Sequence, residues 1–220
     1  NKLITSLNEH KLDFEIELTK APLHAIQLAQ DAIKKGFHNI ISVGGDGTLN
    51  EVVNGVMLSG KAEEINVGII PEGGGNDFAK YFHIPHGIEK AIKVLENEKI
   101  KLVDVGKFDN TYFINSLGIG FDAKSAIIAN KIKWLNGIVR YYTAILVTLI
   151  TNKPYKLQMK LDDKNINDEL LMFSVGNGRF CGGGFQVTPN AIVDDGFFDV
   201  CMIKFINRHR ILKLLPTVIP

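Results

Sequence analysis

A chain of 220 residues with 45% hydrophobic content can form one large domain or two small ones, each with its own core. The formal net charge of +1 lacks the basic excess of nucleic-acid-binding proteins, so we expect no nucleic-acid partner. Cys181 and Cys201 have no ligand-like spacing, which favours free thiols in a reducing cytosol over a disulfide or a zinc site.

The longest apolar segment, residues 138–150, is interrupted by Arg140. It is shorter than the ~20 residues that a transmembrane helix needs, so we expect no transmembrane segment. A buried core helix is the favoured interpretation. A helix that contacts a membrane surface remains the alternative, because Trp134, Tyr141 and Tyr142 lie close by and suit a membrane interface.

In chain order, the first elements alternate between helix and strand patterns. Residues 1–10 have the pattern of a helix, and residues 14–18 alternate like a strand. A second helix is predicted from Pro22, a residue common in first helical turns, to Gly36, which suits the position just past a helix end. Thr19 precedes this helix and is a candidate cap for it.

A glycine-rich loop follows the next predicted strand. Residues 39–43 form a short β-branched run, typical of a buried parallel strand, and GGDGTLNE follows at 44–51. Apolar residues at helical spacing come next, so a helix begins at this loop. Glycines let the backbone approach a ligand closely, and the first N–H groups of the helix attract an anion. The segment is therefore a candidate phosphate-binding loop.

Three side chains of this loop have distinct predicted roles. Thr48 and Glu51 fit a capping box, with Thr48 as the N-cap and Glu51 three positions later. Asp46 is harder to explain by local structure, because a carboxylate repels a bound phosphate unless a divalent cation lies between them. The loop thus indicates a nucleotide-phosphate site with a metal ion nearby.

A second strand–glycine–helix segment lies one βα unit further along the chain. Residues 65–70 have a buried-strand pattern, and PEGGGNDFA follows at 71–79, with Asn76 or Asp77 as the expected N-cap of the next helix. Ligands bind at the carboxyl edge of open α/β sheets. We therefore expect the two glycine-rich loops to lie side by side at that edge.

Near residue 99 the pattern changes from helix–strand alternation to mostly strands. Strands are predicted at 101–108 and 112–117 around a turn at Asp109 and Asn110, and then at 155–161, 170–175 and 197–205. Helices are predicted at 87–97, 123–131, 137–151 and 207–215. We predict two domains, residues 1–98 with a parallel α/β sheet and residues 99–220 with an antiparallel, β-rich structure.

GGDGTLNEVVNG at 44–55, followed by PEGGGNDFAK at 71–80, resembles the diacylglycerol kinase catalytic family, which includes bacterial diacylglycerol kinases and sphingosine kinases. The resemblance continues through FINSLGIGFDA at 113–123, GNGRFCGGGF at 176–185 and PNAIVDDGFFDV at 189–200. GGDG alone is shared with NAD kinases and phosphofructokinases, whereas GNDFA and DDGFFDV favour the lipid-kinase branch. The fold that the resemblance implies is an NAD-kinase-like α/β domain followed by a β-rich sandwich.

The resemblance also implies an ATP- and Mg²⁺-dependent kinase that transfers the γ-phosphate to the hydroxyl of diacylglycerol or a related lipid. Such an enzyme is cytoplasmic and meets its lipid substrate at the membrane surface by peripheral association; a homodimer is left open. For Thr19, nucleotide contact and helix capping both remain open. The residues that match nucleotide-binding positions are Thr19, Gly44, Gly45, Asp46, Gly47, Thr48, Leu49, Asn50, Glu51, Gly73, Gly74 and Asn76.

By the same resemblance, Asp195 binds Mg²⁺ together with backbone carbonyls near Ile192 and Phe197, and Asp46 and Asp77 reach the ion through water. The alternative local roles are a helix cap for Asp77 and a tight turn for Asp195. Asp46 is expected to be essential for catalysis. In sphingosine kinases the equivalent acid deprotonates the lipid hydroxyl, whereas in bacterial diacylglycerol kinases an Asp-Gly-Glu segment, absent from this sequence, has that role.

The sequence departs from the family pattern at Gly74, where a threonine usually binds the phosphates. The first strand of the family and its last strands are also missing, so we expect a fragment at both ends. The acceptor is expected near Asn115, Gly118, Gly120 and Asp122. Two alternatives remain: a kinase with a soluble acceptor, as in NAD kinase, and a nucleotide-binding regulatory module without turnover.

Overall fold

The structure, a computed structural model, describes residues 2–132, 134–135, 137–151, 153–204 and 213. The chain divides into two compact units, Asn1–Ile114 and Asn115–Pro220. The first contains a parallel sheet and the second an antiparallel sheet, which confirms the predicted mixed α/β architecture. The domain boundary near residue 99 stays a prediction, and the compact units separate later in the chain.

The first unit is built from helices around a parallel pair of strands. Its helices are α1 (Lys2–Glu9), α2 (His24–Lys34), α3 (Asp46–Leu58), α4 (Asp77–Tyr81) and α5 (Ile88–Leu95), with a 3₁₀ helix at Ala62–Glu64. Its strands are β1 (Asn39–Gly44), β2 (Asn66–Pro71), β3 (Gly106–Phe108) and β4 (Thr111–Phe113). Strands β1 and β2 pair in parallel with Gly44 opposite Pro71, so both end at the same edge of the sheet.

Helix α3 is packed closely against α2. Its buried Val52 contacts Ala25 and Ala29 of α2, and burial of such a side chain contributes about 1.5–3 kcal/mol to folding. A Cβ atom at Gly55 would lie 2.5 Å from the carbonyl oxygen of Ile26, so the two helices cross at a glycine contact. This packing fixes the N-terminal turn of α3 at the end of β1.

The strand predicted at residues 14–18 is wrong. This segment has no regular secondary structure, and no strand of the described residues pairs with it. Leu18 is 71% exposed, so the alternating pattern has no core to pack against. The strand predicted at 101–108 is reduced to β3, and Asp109 and Asn110 form the predicted turn that leads to β4.

The second unit is organised around the long strand β7 (Lys164–Gly176). Its other strands are β5 (Ser116–Gly120), β6 (Tyr155–Leu161), β8 (Phe180–Cys181), β9 (Phe185–Gln186) and β10 (Asp199–Lys204). Strand β7 pairs antiparallel with β5, β6 and β10. Helices α6 (Phe121–Lys131) and α7 (Gly137–Thr151) confirm the two helices predicted in this region.

Helices α6 and α7 cover the core of the second unit. Phe121 of α6 and Ile145 of α7 pack with Leu171, Met172 and Phe185. The buried-core interpretation of the apolar segment therefore holds for one face of α7. No helix in the described part of the chain is long and apolar enough to cross a membrane. The helix predicted at 207–215 lies outside the described residues, apart from Lys213.

Candidate active site

The two glycine-rich loops meet backbone to backbone. A Cβ atom at Gly73 would lie 2.3 Å from the Cα atom of Gly45, closer than real Cβ contacts come. The N–H of Glu72 also donates to the carbonyl of Gly44 at 2.9 Å. The loops thus lie side by side at the carboxyl edge of the sheet, as the sequence predicts, and their contact depends on glycine at position 73.

Asp46 connects the two loops through its side chain. It is the first residue of α3, and its Oδ1 accepts a hydrogen bond from the N–H of Phe78 at 3.1 Å. Phe78 lies in the first turn of α4, so a half-buried carboxylate from another loop caps the positive end of that helix. The residue expected to be essential for catalysis therefore also has a structural role, which the sequence did not reveal.

The capping box predicted for α3 is wrong. Helix α3 begins at Asp46 with Gly45 as its N-cap, so Thr48 and Glu51 lie inside the helix. The hydroxyl of Thr48 lies over Gly44, where a Cβ atom would be 2.7 Å from Oγ1. Glu51 reaches α2 instead, and its Oε2 accepts a hydrogen bond from a backbone N–H in the first turn of that helix, at 3.2 Å. Tertiary contacts have replaced the local cap.

Asn76 shapes the second loop. It occupies the N-cap position of α4 in a left-handed conformation, with φ of 55°, but its side chain does not cap the helix. Instead, Oδ1 accepts from the N–H of Gly73 at 2.9 Å and Nδ2 donates to the carbonyl of Gly73 at 2.8 Å. Nδ2 also lies 3.1 Å from Nε2 of His86, a residue that sequence reasoning missed because no motif surrounds it.

Two asparagines connect α3 to β4 and to the residue that follows it. Buried Asn54 donates through Nδ2 to the carbonyl of Tyr112 at 2.8 Å and accepts from the N–H of Tyr112 at 2.8 Å. Asn50, a predicted nucleotide contact, accepts from the N–H of Ile114 through Oδ1 at 3.3 Å. No motif marks Asn54 in the sequence, although a lone amide in an apolar helical stretch is a signal that a partner exists.

The remaining predicted nucleotide contacts differ in exposure. Gly47 and Gly74 face open space, since no atom lies within 4 Å of a Cβ atom built at either position. Leu49 is 3% exposed and belongs to the core, so only its backbone can meet a ligand. Thr19 is exposed, and Leu23 occupies the N-cap position of α2, so the capping alternative for Thr19 is wrong.

Asp77 is buried at the start of α4. Its Oδ1 pairs with Nζ of Lys80 at 3.1 Å, one turn further along the same helix. The side chain of Asp77 is 5% exposed and that of Lys80 is 40% exposed, so the pair lies at the rim of the fold. The water-mediated metal contact of Asp77 stays a prediction.

In the second unit, Asp195 lies in an exposed loop that follows the buried residue Val193. Its Oδ1 accepts from the N–H of Phe197 at 3.0 Å, and Gly196 has φ of +79°, so the tight turn is present. Val193 is fully buried beneath the loop, while Ile192 and Phe197 are 44% and 74% exposed. Three of the five predicted magnesium-binding residues, Ile192, Asp195 and Phe197, therefore lie on one accessible turn.

The donor atoms of this turn fit Mg²⁺, because carboxylate and carbonyl oxygens are the ligands that hard cations take. No group of three or more His, Cys, Asp or Glu side chains suited to a metal occurs among the described residues. A magnesium ion here would depend on Asp195, backbone oxygens and water, and Mg²⁺ commonly keeps several waters.

Asp122, at the start of α6, is the centre of a small polar cluster. A Cβ atom at Gly118 would lie 2.2 Å from its Oδ2, so the carboxylate lies directly over this glycine of β5. Sγ of Cys181 lies 3.8 Å from Oδ1. Burial raises the pKa of the Cys201 thiol, and the negative charge of Asp122 raises that pKa further. Sequence reasoning had not connected either cysteine with Asp122.

Asn115, another residue expected near the phosphoryl acceptor, forms hydrogen bonds to the segment that follows β7. Its carbonyl accepts from the N–H groups of Asn177 and Gly178 at 2.8 and 2.9 Å, and its Nδ2 donates to the carbonyl of Phe180 at 2.9 Å. Its buried Oδ1 has no hydrogen-bond partner in the described structure.

The chain matches two family models, one before and one after residue 110. Residues 1–108 match the diacylglycerol kinase catalytic domain, and residues 115–220 match the YegS C-terminal NAD kinase beta sandwich-like domain. A solved structure of a diacylglycerol kinase from Bacillus anthracis is similar, with a TM-score of 0.75 and 28% identity, over 97% of this chain and 72% of that chain.

Two bacterial diacylglycerol kinases are also similar to the chain in sequence. The chain is 31% identical over 211 residues to a diacylglycerol kinase from Mycobacterium tuberculosis, covering 92% of this chain and 67% of the relative. It is 35% identical over 183 residues to a diacylglycerol kinase from Staphylococcus haemolyticus, covering 81% of this chain and 54% of the relative. The chain thus spans between half and two-thirds of these relatives' length, and it belongs to the diacylglycerol kinase catalytic-domain family.

Proposed function

We propose that the protein is an ATP- and Mg²⁺-dependent lipid kinase that transfers the γ-phosphate to the hydroxyl of diacylglycerol or a related lipid at the cytoplasmic membrane surface. The observation that carries this proposal is the backbone contact between Gly45 and Gly73 at the N-terminus of α3. Loops that touch without side chains present their N–H groups to phosphate oxygens, and the helix dipole favours the negative charge. The relatives' names, diacylglycerol kinase, support the lipid acceptor.

Phosphoryl transfer depends mainly on positioning and on neutralising charge. Asp46 holds the second loop through the N–H of Phe78, and Asn76 holds Gly73 by two hydrogen bonds. Both loops therefore have a fixed geometry before a nucleotide binds, which lowers the entropy cost of positioning the phosphates. Bound Mg²⁺ would neutralise phosphate charge, and Asp195 with the nearby backbone carbonyls is the group that would hold it.

For the acceptor, we propose the polar residues at the start of the second unit. The unpartnered, buried Oδ1 of Asn115 is a hydrogen-bond acceptor for a hydroxyl, and Asp122 places a carboxylate over Gly118. Both features are hydrogen-bond acceptors, so the single hydroxyl of such a lipid would donate to one of them at a time.

The test uses the full-length protein with labelled ATP, Mg²⁺ and diacylglycerol in mixed micelles, and offers NAD in parallel. Asp46→Asn is the control variant. Labelled phosphatidate from the wild type, and none from the variant, would support the proposal. Label in NADP would contradict the lipid acceptor, and ATP binding without transfer to any lipid would contradict the kinase activity.

A further inference from the structure

We propose that Arg179 is a positioning residue that holds the magnesium-binding turn in place through the backbone of Ala191. The inference deepens the proposed function, on which it rests for the metal and for the acceptor. We call residues 192–197 the metal turn and residues 177–180 the bridging segment. Both lie in the second unit.

The metal turn is closed by a local hydrogen bond. Oδ1 of Asp195 accepts from the N–H of Phe197 at 3.0 Å, which shapes the turn but does not place it within the unit. Ile192 and Phe197 are 44% and 74% exposed, so core packing does not hold their side chains. A magnesium ion demands near-ideal octahedral geometry from its oxygen ligands. The residues that flank the turn must therefore keep its oxygens in position.

Both flanks of the metal turn are attached to the end of β7 and the residues just after it. On one side, Asp199 of β10 pairs with Gly176, the last residue of β7. On the other side, Nε of Arg179 donates to the carbonyl of Ala191 at 2.9 Å. Val193 is fully buried between these two attachments. One short stretch of chain therefore holds both ends of the turn.

The hydrogen bond from Arg179 reaches the backbone next to a predicted metal ligand. Ala191 is 1% exposed, and its carbonyl belongs to the peptide plane that leads into Ile192. The N–H of Ala191 donates to the carbonyl of Thr188 at 3.1 Å, so both backbone groups of this residue have partners. Hydrogen bonds from a charged donor are roughly twice as strong as neutral ones. Arg179 thus fixes the direction in which the backbone enters the turn.

The bridging segment is itself fixed on two sides. The carbonyl of Asn115 accepts from the N–H groups of Asn177 and Gly178 at 2.8 and 2.9 Å, and its Nδ2 donates to the carbonyl of Phe180 at 2.9 Å. Oγ1 of Thr188 donates to the carbonyl of Gly178 at 2.8 Å. Asn177 and Thr188 are 0% and 5% exposed, so these bonds are sheltered from water. The residue between Gly178 and Phe180 therefore extends from a rigid backbone.

The bridging segment connects the two parts of the proposed chemistry within this unit. Asn115 is expected near the acceptor, and Asp195 is expected to hold the metal. Phosphoryl transfer depends on the accurate placement of both. Through Asn115 on one side and Arg179 on the other, hydrogen bonds that exist before any ligand binds set their separation.

Three substitutions separate the hydrogen bond of Arg179 from its charge. Arg179→Gln places an amide N–H donor where Nε lies and removes the charge. Arg179→Met removes the donor and the charge but keeps the length of the apolar stem. Arg179→Lys keeps the charge and puts a carbon atom at the position of Nε. We expect the Gln variant to behave like the wild type, and the other two to lose the hold on Ala191.

Metal affinity is the first measurement, with Mn²⁺ as the probe, because its paramagnetic resonance signal distinguishes free from bound ion. The full-length Met and Lys variants should bind Mn²⁺ about tenfold more weakly than the wild type, and the Gln variant should bind it as the wild type does. Asp195→Asn should lose this binding, which assigns it to the metal turn. Lys124→Met is the matched control, because Lys124 also donates to a backbone carbonyl, that of Thr151, at 2.8 Å.

Amide hydrogen exchange of the metal-free protein tests the same hold without any ligand. Residues 192–197 should exchange about fivefold faster in the Met and Lys variants than in the wild type and the Gln variant. Residues 155–161 of β6 are the internal reference and should exchange equally in all four proteins. Faster exchange confined to the metal turn separates a local loosening from a loss of the fold.

The positioning role and the kinase proposal fail separately. A wild type that phosphorylates no lipid, while Mn²⁺ affinity and exchange follow the expected order, would overturn the kinase and leave the role of Arg179 intact. That role would be overturned if Arg179→Met bound Mn²⁺ as the wild type does, or if Asp195→Asn did. Recovery by Lys rather than by Gln would assign the effect to charge and overturn it too, and this comparison decides even if the Met variant does not fold.

Discussion

At the scale of single residues, Asp46 has two roles that substitutions can separate. Asn keeps an Oδ1 that can accept from the N–H of Phe78, whereas Ala removes the cap of α4. We expect Asp46→Ala to lower the free energy of unfolding by about 1 kcal/mol and Asp46→Asn to lower it far less. Both should lower lipid phosphorylation about a hundredfold or more, because both remove the carboxylate.

Denaturant unfolding and the phosphorylation assay together check this prediction. Equal stability losses in the two variants would show that the hydrogen bond to Phe78 does not hold α4. Full activity in Asp46→Asn would show that the carboxylate is not needed for transfer.

The pKa of the Cys201 thiol depends in part on the negative charge of Asp122. The thiolate is the form that reacts with alkylating agents, and burial, together with the smaller effect of the Asp122 charge, disfavours it by raising the pKa of Cys201. In Asp122→Asn that pKa should fall, so alkylation of Cys201 should reach half of its maximal rate at lower pH. Mass spectrometry of the alkylated peptides separates Cys201 from Cys181. An unchanged pH profile would contradict the proximity of Asp122 to Cys201.

At the scale of elements, Asn54 joins α3 to β4. Asn54→Ala would leave the N–H and the carbonyl of Tyr112 without the partners they have now. We expect a loss of about 2–3 kcal/mol in the free energy of unfolding. Asn97→Ala is the matched control: Asn97 is exposed and its side chain donates to the carbonyl of Lys93, so the loss should stay within about 0.5 kcal/mol. Similar losses in both variants would contradict the role of Asn54.

Local patterns predicted most helices and strands but not the partners of their side chains. The Thr48–Glu51 pattern fits a capping box, yet Gly45 is the N-cap of α3 and Glu51 accepts a hydrogen bond from the first turn of α2. The alternation at residues 14–18 fits a strand, yet a strand also needs a neighbour to pair with. Both errors arise because the deciding contacts join residues far apart in the chain.

At the scale of the whole molecule, the order of motifs predicted the order of the two sheets. Two strand–glycine–helix segments in succession are enough to place both loops at one edge of a parallel sheet, and β1 and β2 confirm it. The sequence did not predict that Gly45 and Gly73 touch, because their contact depends on the register of Gly44 with Pro71.

The central claim is that the paired glycine loops form the nucleotide site of a lipid kinase. The most direct measurement compares label transfer from ATP to diacylglycerol by full-length Gly73→Ala and Gly74→Ala. A methyl group at Gly73 collides with Gly45, whereas Gly74 has no atom within 4 Å of its Cβ position. We predict that Gly73→Ala loses transfer and Gly74→Ala keeps it. Equal activity in the two variants would contradict the claim.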